Sequence, residues 1–216
     1  MQCFRSHRVA STLAFPDGIR LTHKDEIPGP EPERAATWSR VQLANIAPGF
    51  LVKESNDHRF SFYAEANVDA PRMWAVFSDL CRGLIGPVAA LVMSELDQES
   101  THIGTASTSA ILSLLEPHAY QLANDGWIQF GLIEERRDSI TEVFVATTKH
   151  FEVWLNDEKL FRSIMQGHAL SEVDQLEFLD EYPRTTIRLP ADRVLFYDHT
   201  ELIEHFRREI GELSSL

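Results

Sequence analysis

The chain has 216 residues, of which 44% are hydrophobic and 25% are charged, and its 33 acidic against 20 basic residues give a formal net charge of -13. This length and composition predict a folded globular chain with a substantial core and exclude a disordered one. The acidic balance argues against nucleic acid and anionic membranes as direct ligands, because both require a basic surface. A basic protein partner is compatible with the charge, although solubility alone also accounts for an acidic surface.

Cysteine content and the N-terminus bear on the cellular compartment. Cys3 and Cys81 are too few for a disulfide framework, and Cys81 lies in an apolar helical pattern. Residues 1–18 lack the apolar stretch of a signal peptide, and no run approaches the roughly 18 apolar residues of a membrane span. We therefore expect a soluble protein of the reducing cytoplasm.

Two signals in the N-terminal region predict a turn and a loop. The sequence Pro-Asp-Gly at 16–18 predicts a turn that pairs residues 9–15 with residues 19–21 as a hairpin. The three prolines within residues 24–34 predict a loop there, because proline interrupts regular backbone hydrogen bonding.

A strand, a helix and a second strand are predicted next. Alternating apolar residues over 60–68 are typical of a half-buried strand. Asp69 as a helix N-cap, Pro71 in the first turn and an apolar stripe to Leu84 predict a helix. The continuous apolar run over 88–96 favours a buried strand, with a short helix as the alternative.

The middle of the chain predicts a helix followed by three strands. Apolar residues have helical spacing within 107–122, and Pro117 should break or kink that helix. The patterns "WIQFGLIEE", "SITEVFVATT" and "KHFEVWL" predict successive strands. Their short connections favour an antiparallel meander.

The C-terminal region predicts an amphipathic helix over 156–167, a short helix over 171–182, a strand over 184–189 and a final helix over 198–213. Together these elements predict an α+β fold class, in which an antiparallel sheet packs with several amphipathic helices. We expect a single domain over residues 1–216.

Familiar catalytic, metal-binding and nucleotide-binding motifs are absent from the sequence. It has no G-x-S-x-G, no C-x-x-C, no H-E-x-x-H and no glycine-rich phosphate loop. We therefore predict no catalytic residue, no metal site and no cofactor. Two alternatives stay open: a small hydrolase or transferase with a site built from scattered His, Asp and Glu, and a self-associating module or homodimer using exposed aromatics such as Trp38 or Trp154.

The densest run of acids lies in residues 171–182, which contain five carboxylates and no Lys or Arg. These are Glu172, Asp174, Glu177, Asp180 and Glu181. If the segment is helical, Glu177 and Glu181 lie one turn apart and repel by roughly a few tenths of a kcal/mol. Such a run is typical of a solvated helix face, and it is also what a docking surface for Lys and Arg would show. A catalytic or metal-binding cluster is a third interpretation.

A family resemblance gives one of these interpretations a concrete form. Residues 124–166 and 176–189, which end in "LEFLDEYPRTTIRL", resemble the C-terminal half of bacterial immunity proteins encoded beside polymorphic or contact-dependent toxins. The likeness is that of an acidic, cofactor-free α+β chain in which "DEYPRTT" closes a strand-and-helix block. The resemblance implies an inhibitor that binds a basic toxin stoichiometrically. In that hypothesis the five acids face Lys and Arg of the toxin, and Tyr182 or Trp154 is an aromatic anchor.

Overall fold

The computed structural model describes residues 12–187, 189 and 196–213. Strands and helices alternate irregularly along the chain. The strands are β1 (Ile19–Leu21), β2 (Gly49–Glu54), β3 (Phe62–Asn67), β4 (Val88–Glu95), β5 (Thr101–Ser107), β6 (Ile128–Arg136), β7 (Ser139–Val145), β8 (His150–Leu155) and β9 (Arg184–Thr186). The α-helices are α1 (Glu31–Leu43), α2 (Ala70–Leu84), α3 (Thr108–Leu115), α4 (Ala119–Asn124), α5 (Glu158–Gly167) and α6 (His199–Leu213).

Seven strands form one sheet in the order β2-β3-β8-β7-β6-β4-β5, and every neighbouring pair is antiparallel. The predicted meander is confirmed as β6-β7-β8, and the run over 88–96 is strand rather than helix. The pairing of β3 with β8 joins two parts of the chain that are distant in sequence. The α+β class with an antiparallel sheet and amphipathic helices is confirmed.

The helices α2 to α6 contribute to one large hydrophobic core with one face of the sheet. Phe77 of α2 packs edge-to-face on Phe130 of β6 at 4.9 Å between ring centroids. Phe161 of α5 packs in the same way on Phe50 of β2 at 5.5 Å. Because side chains alternate along each strand, the residues between these inward positions lie on the opposite sheet face.

The start of α2 agrees with the sequence prediction, although Asp69 does not cap it through its side chain. One Asp69 carboxylate oxygen accepts a hydrogen bond from the Ala14 backbone N–H at 2.9 Å, and the other pairs with Arg72 at 2.5 Å. The helix N-terminus is thereby tied to the chain that precedes β1. The predicted helix over 107–122 is also confirmed with its break, because Pro117 lies in a 3-10 turn between α3 and α4.

The predicted pairing of residues 9–15 with residues 19–21 is wrong, because β1 has a different partner strand. The turn forms, since the Ile19 backbone N–H donates to the Pro16 carbonyl at 3.1 Å. However, β1 pairs with β9, in register Ile19 to Thr186, and residues 12–15 are not strand. Residues 9–11 of the predicted partner strand lie outside the described residues. A small second cluster packs here, composed of Ile19, Ala44, Ile46 and Leu179.

The predicted loop over 24–34 is only partly a loop. Lys24–Glu26 form a 3-10 turn and α1 begins at Glu31, with Pro32 in its first turn. Proline is tolerated there, because the first backbone N–H groups of a helix have no partner within the helix. The proline-rich segment therefore contains the first turn of α1 as well as a loop.

Strand β5 was not predicted, because its sequence is polar and contains Gly104. The glycine is required by close packing, since a Cβ at this position would meet the Ile210 side chain of α6. Among the described residues, no helix combines the length and the apolar character that a bilayer crossing requires.

Candidate functional site

The acidic segment over residues 171–182 does not form the predicted helix. Its first residues run beside β2, where the Phe50 N–H donates to the Ser171 carbonyl at 3.1 Å and the Val173 N–H donates to the Phe50 carbonyl at 2.9 Å. A single 3-10 turn follows at Leu179–Glu181. The helix prediction is wrong because pairing with a distant strand satisfies backbone groups that a helix would have satisfied internally.

Glu172 is engaged in an internal ion pair. Its carboxylate accepts two hydrogen bonds of 2.9 Å from Arg162, which also pairs with Glu158. The hydrogen bonds from Arg162 lower the pKa of Glu172. The protein itself therefore supplies the cation that was expected from a partner.

Glu177 acts as an internal hydrogen-bond acceptor. Its Oε2 accepts from the Asn45 backbone N–H at 2.6 Å and from the Tyr182 hydroxyl at 2.7 Å. Burial, and then the hydrogen bond to Glu177, raise the pKa of Tyr182 to about 12. The guanidinium of Arg40 lies 5.8 Å from the centre of the Tyr182 ring. This predicted anchor is thus already covered by a cation of the chain.

The three other acids of the segment fall into two groups. Glu181 accepts a hydrogen bond from the Phe178 N–H at 3.0 Å and so closes the 3-10 turn. Asp174 and Asp180 are exposed, and within the described part of the chain neither carboxylate forms a hydrogen bond or an ion pair. Three of the five predicted carboxylates are therefore used within the fold.

Trp154, the other predicted anchor, lies on the sheet face that points away from the helices. In register it is opposite Tyr63 of β3 on one side and Glu142 of β7 on the other. The Trp154 and Tyr63 ring centroids are 5.3 Å apart, with the ring planes tilted by 51°. Both rings are partly exposed.

Carboxylates surround these two rings. Glu65 lies directly opposite Glu152 across the β3–β8 pair, and Glu142 is the diagonal neighbour of Glu152 across the β8–β7 pair. Like charges that face each other across a sheet are destabilising. We call the set Tyr63, Glu65, Glu142, Glu152 and Trp154 the acidic face.

One basic side chain offsets part of this charge, and a histidine lies within hydrogen-bonding distance of another carboxylate. Lys53 Nζ lies 3.0 Å from Glu65, and the His150 Nε2 atom lies 3.2 Å from Glu152. Glu142 has no such partner among the described residues. When ionised, the Glu142 carboxylate therefore has no compensating cation in the described part of the chain.

The pKa values of Glu142 and Tyr63 reflect this crowding of carboxylates. Burial, and then the charge of Glu152, raise the pKa of Glu142 from 4.5 to about 7. Burial is also the main cause that raises the pKa of Tyr63, followed by the charges of Glu152 and Glu65 and, more weakly, that of Asp180. Of the predicted partner-binding residues, Trp154 is a member of the acidic face, and the charge of Asp180 acts weakly on the Tyr63 hydroxyl.

The sheet face continues from the acidic face past Phe144 into an open groove. The Phe144 ring lies across Gly131, where a Cβ would come within 2.8 Å of it. Beyond them is an open groove of about 660 Å³ with a mixed lining, in which Ala90, Val92 and Ile133 lie beside polar and charged residues that include His102, Glu135 and Arg136. One face thus offers an acidic and aromatic region next to a groove of mixed apolar and polar lining, and exposed aromatic rings are common in protein-binding surfaces.

Other kinds of site find less support in the side-chain arrangement. Within the described ranges, no group of three or more His, Cys, Asp or Glu is arranged to hold a metal ion. Cys81 is fully buried, and burial raises the pKa of its thiol, which disfavours the thiolate that nucleophilic catalysis requires. No protein-family model, curated protein or solved structure matches the chain.

Sequence reasoning missed four members of the acidic face. Tyr63 and Glu65 are the outward positions of an alternating strand, and Glu142 and Glu152 are outward positions of two others. This alternation was a usable signal for the face on which each side chain lies. It contains no information about which strands are neighbours, and that order is what places the carboxylates together.

Proposed function

We propose that the protein binds a basic protein partner stoichiometrically through the acidic face. In its most concrete form it is a cytoplasmic bacterial immunity protein that inhibits a basic toxin. The supporting observation is the opposed pair Glu65 and Glu152, with Glu142 diagonal to it and Trp154 and Tyr63 alongside.

The chemistry of this face favours a cationic side chain as its ligand. A Lys or Arg placed among the carboxylates relieves their mutual repulsion, and an arginine also stacks on aromatic rings. Arginine and aromatic side chains are the common anchors of protein interfaces, and the adjoining groove of mixed polar and apolar lining gives room for further contacts. The net charge of -13 adds long-range attraction, which raises association rates with a basic partner.

The first experiment is affinity capture from lysate of the source organism with three forms of the tagged protein. The first is the wild type. The second carries Glu65→Gln and Glu152→Gln on the acidic face. The third carries Asp174→Asn and Glu201→Gln, which remove the same formal charge from exposed positions outside the face. We expect the wild type and the third form to retain a basic protein that raised salt releases, and the second form to lose it.

Affinity measured with the captured protein tests the placement quantitatively. The two acidic-face substitutions should weaken binding by about tenfold or more and reduce its salt dependence, whereas the control pair should leave affinity within about twofold. Co-expression should also restore growth of cells that produce the captured protein, if that protein is a toxin. Equal affinity of all three forms would rule out the acidic face as the site. Recovery of the wild type alone, or only as a homodimer, would contradict the proposed function.

Proton release gives an independent readout of the same contact. A cation bound beside Glu142 lowers its pKa from about 7, so the carboxyl loses its proton on binding. Affinity should therefore increase as the pH rises through about 7. Calorimetry in two buffers of different ionisation enthalpy measures the released proton, and Glu142→Gln should abolish that release.

A further inference from the structure

A cleft separate from the acidic face lies between the chain that precedes β1 and the helices α2 and α4. Its volume is about 540 Å³, within the range of small-molecule sites. Three aromatic residues line it, namely Phe15, Trp74 and Tyr120. The remaining lining includes the polar residues Asp17 and Asn124 and several small apolar side chains.

Neighbouring rings support two of the aromatic walls. The Tyr120 ring is stacked on Phe196, with 5.4 Å between centroids and 8° between planes. Trp74 leans on the buried Phe77 at 5.7 Å. These contacts hold the Tyr120 and Trp74 rings in place without filling the cleft. The site is therefore preformed.

Asp17 supplies the charge of the cleft. Its backbone N–H donates to the Asn124 side-chain oxygen at 2.9 Å, and the Tyr120 hydroxyl donates to its Oδ2. Within the described part of the chain, the Asp17 carboxylate forms no ion pair, and the lining contains no Lys, Arg or His. The nearby Asp69 is already paired with Arg72 at 2.5 Å.

We propose that this cleft binds a small organic cation of the alkylammonium class. Aromatic rings attract cations through the negative charge of their faces, and they suit quaternary ammonium groups because these carry apolar methyl groups around the charge. Asp17 complements the charge at one side of the cleft. A single carboxylate is too few ligands for a metal ion, and it repels anions. The proposal does not depend on the proposed function, because the acidic face is a different surface.

Isothermal titration calorimetry with choline tests the proposal, with its uncharged isostere, in which carbon replaces the quaternary nitrogen, as the matched ligand. We expect choline to bind with a dissociation constant in the millimolar range or below. The affinity of the isostere should be lower by a factor of about ten or more. Asp17→Asn should weaken choline binding by about tenfold while leaving the isostere unaffected. Glu116→Gln, an exposed acid near α4 and outside the cleft, is the control and should change neither.

Each opposing result overturns the proposal. Equal binding of choline and its isostere would show an apolar cleft with no cation preference. Unchanged choline binding in Asp17→Asn would show that the carboxylate is not part of the site. No heat signal with choline at about 50 mM, well above a dissociation constant of about 1 mM, would show that the cleft does not bind the cation. Because Asp17 also bonds to Tyr120, thermal unfolding must show that the variant folds. Phe15→Leu is the second variant, and it should weaken choline binding more than isostere binding.

Discussion

Replacement of Glu142 by glutamine should stabilise the protein, and the effect should grow with pH. Glutamine has the shape of the protonated acid but never becomes charged. In the folded protein Glu142 is partly buried beside Glu152, and the resulting pKa of about 7 lies above the ordinary value of 4.5. The folded state therefore binds the proton more tightly than the unfolded state does, and ionisation opposes folding.

The size of the effect follows from this difference. Each pH unit of pKa difference corresponds to about 1.4 kcal/mol, so the rise from 4.5 to about 7 sets an upper limit of roughly 3 kcal/mol. The carboxyl keeps some contact with water, and solvent screening reduces the expected value to about 2 kcal/mol. The penalty is absent below about pH 4.5, increases between 4.5 and 7, and is complete above 7.

Urea unfolding followed by tryptophan fluorescence, from about pH 5 to about pH 8, measures this difference directly. The Glu142→Gln variant should already exceed the wild type slightly in free energy of unfolding at about pH 5, because part of the penalty is present above pH 4.5, and the excess should grow to about 2 kcal/mol at the alkaline end. Glu99→Gln, an exposed acid outside the acidic face, is the control and should differ by less than about 0.5 kcal/mol throughout. A difference for Glu142→Gln that is independent of pH, or a variant that is less stable at pH 8, would refute the reasoning.

Three further substitutions test the core, the N-terminal turn and the acidic segment. Phe77→Ala removes a fully buried ring and should lower the free energy of unfolding by about 3–5 kcal/mol in the same urea assay. Gly18→Ala places a Cβ against the backbone carbonyl of Asn124 and should lower stability by about 2 kcal/mol or more, measured by thermal unfolding. Glu177→Ala leaves the Tyr182 hydroxyl without its acceptor and should destabilise by about 1–3 kcal/mol. It should also lower the pKa of Tyr182 from about 12 in a spectroscopic titration, while leaving partner affinity unchanged.

Local patterns in the sequence were sufficient to predict most of the regular elements. The alternation in β3, the starting position and apolar stripe of α2, and the break at Pro117 all depend on neighbours within a few residues. Such signals depend only on residues that are close in sequence, so they can be recognised without knowledge of the fold. The same reading assigned 171–182 to a helix, because apolar spacing alone does not reveal that Ser171 and Val173 bond to β2.

The acidic face depended on long-range pairing in a way that no local pattern specifies. The composition predicted an acidic protein, and the local run of acids placed the predicted binding surface in 171–182. In the structure Glu172, Glu177 and Glu181 of this segment accept hydrogen bonds from the protein itself. The sequence determined that Glu65 and Glu152 point outward from their strands. Only the pairing of β3 with β8 set these two carboxylates opposite each other, because strand order depends on how the whole chain buries its apolar surface.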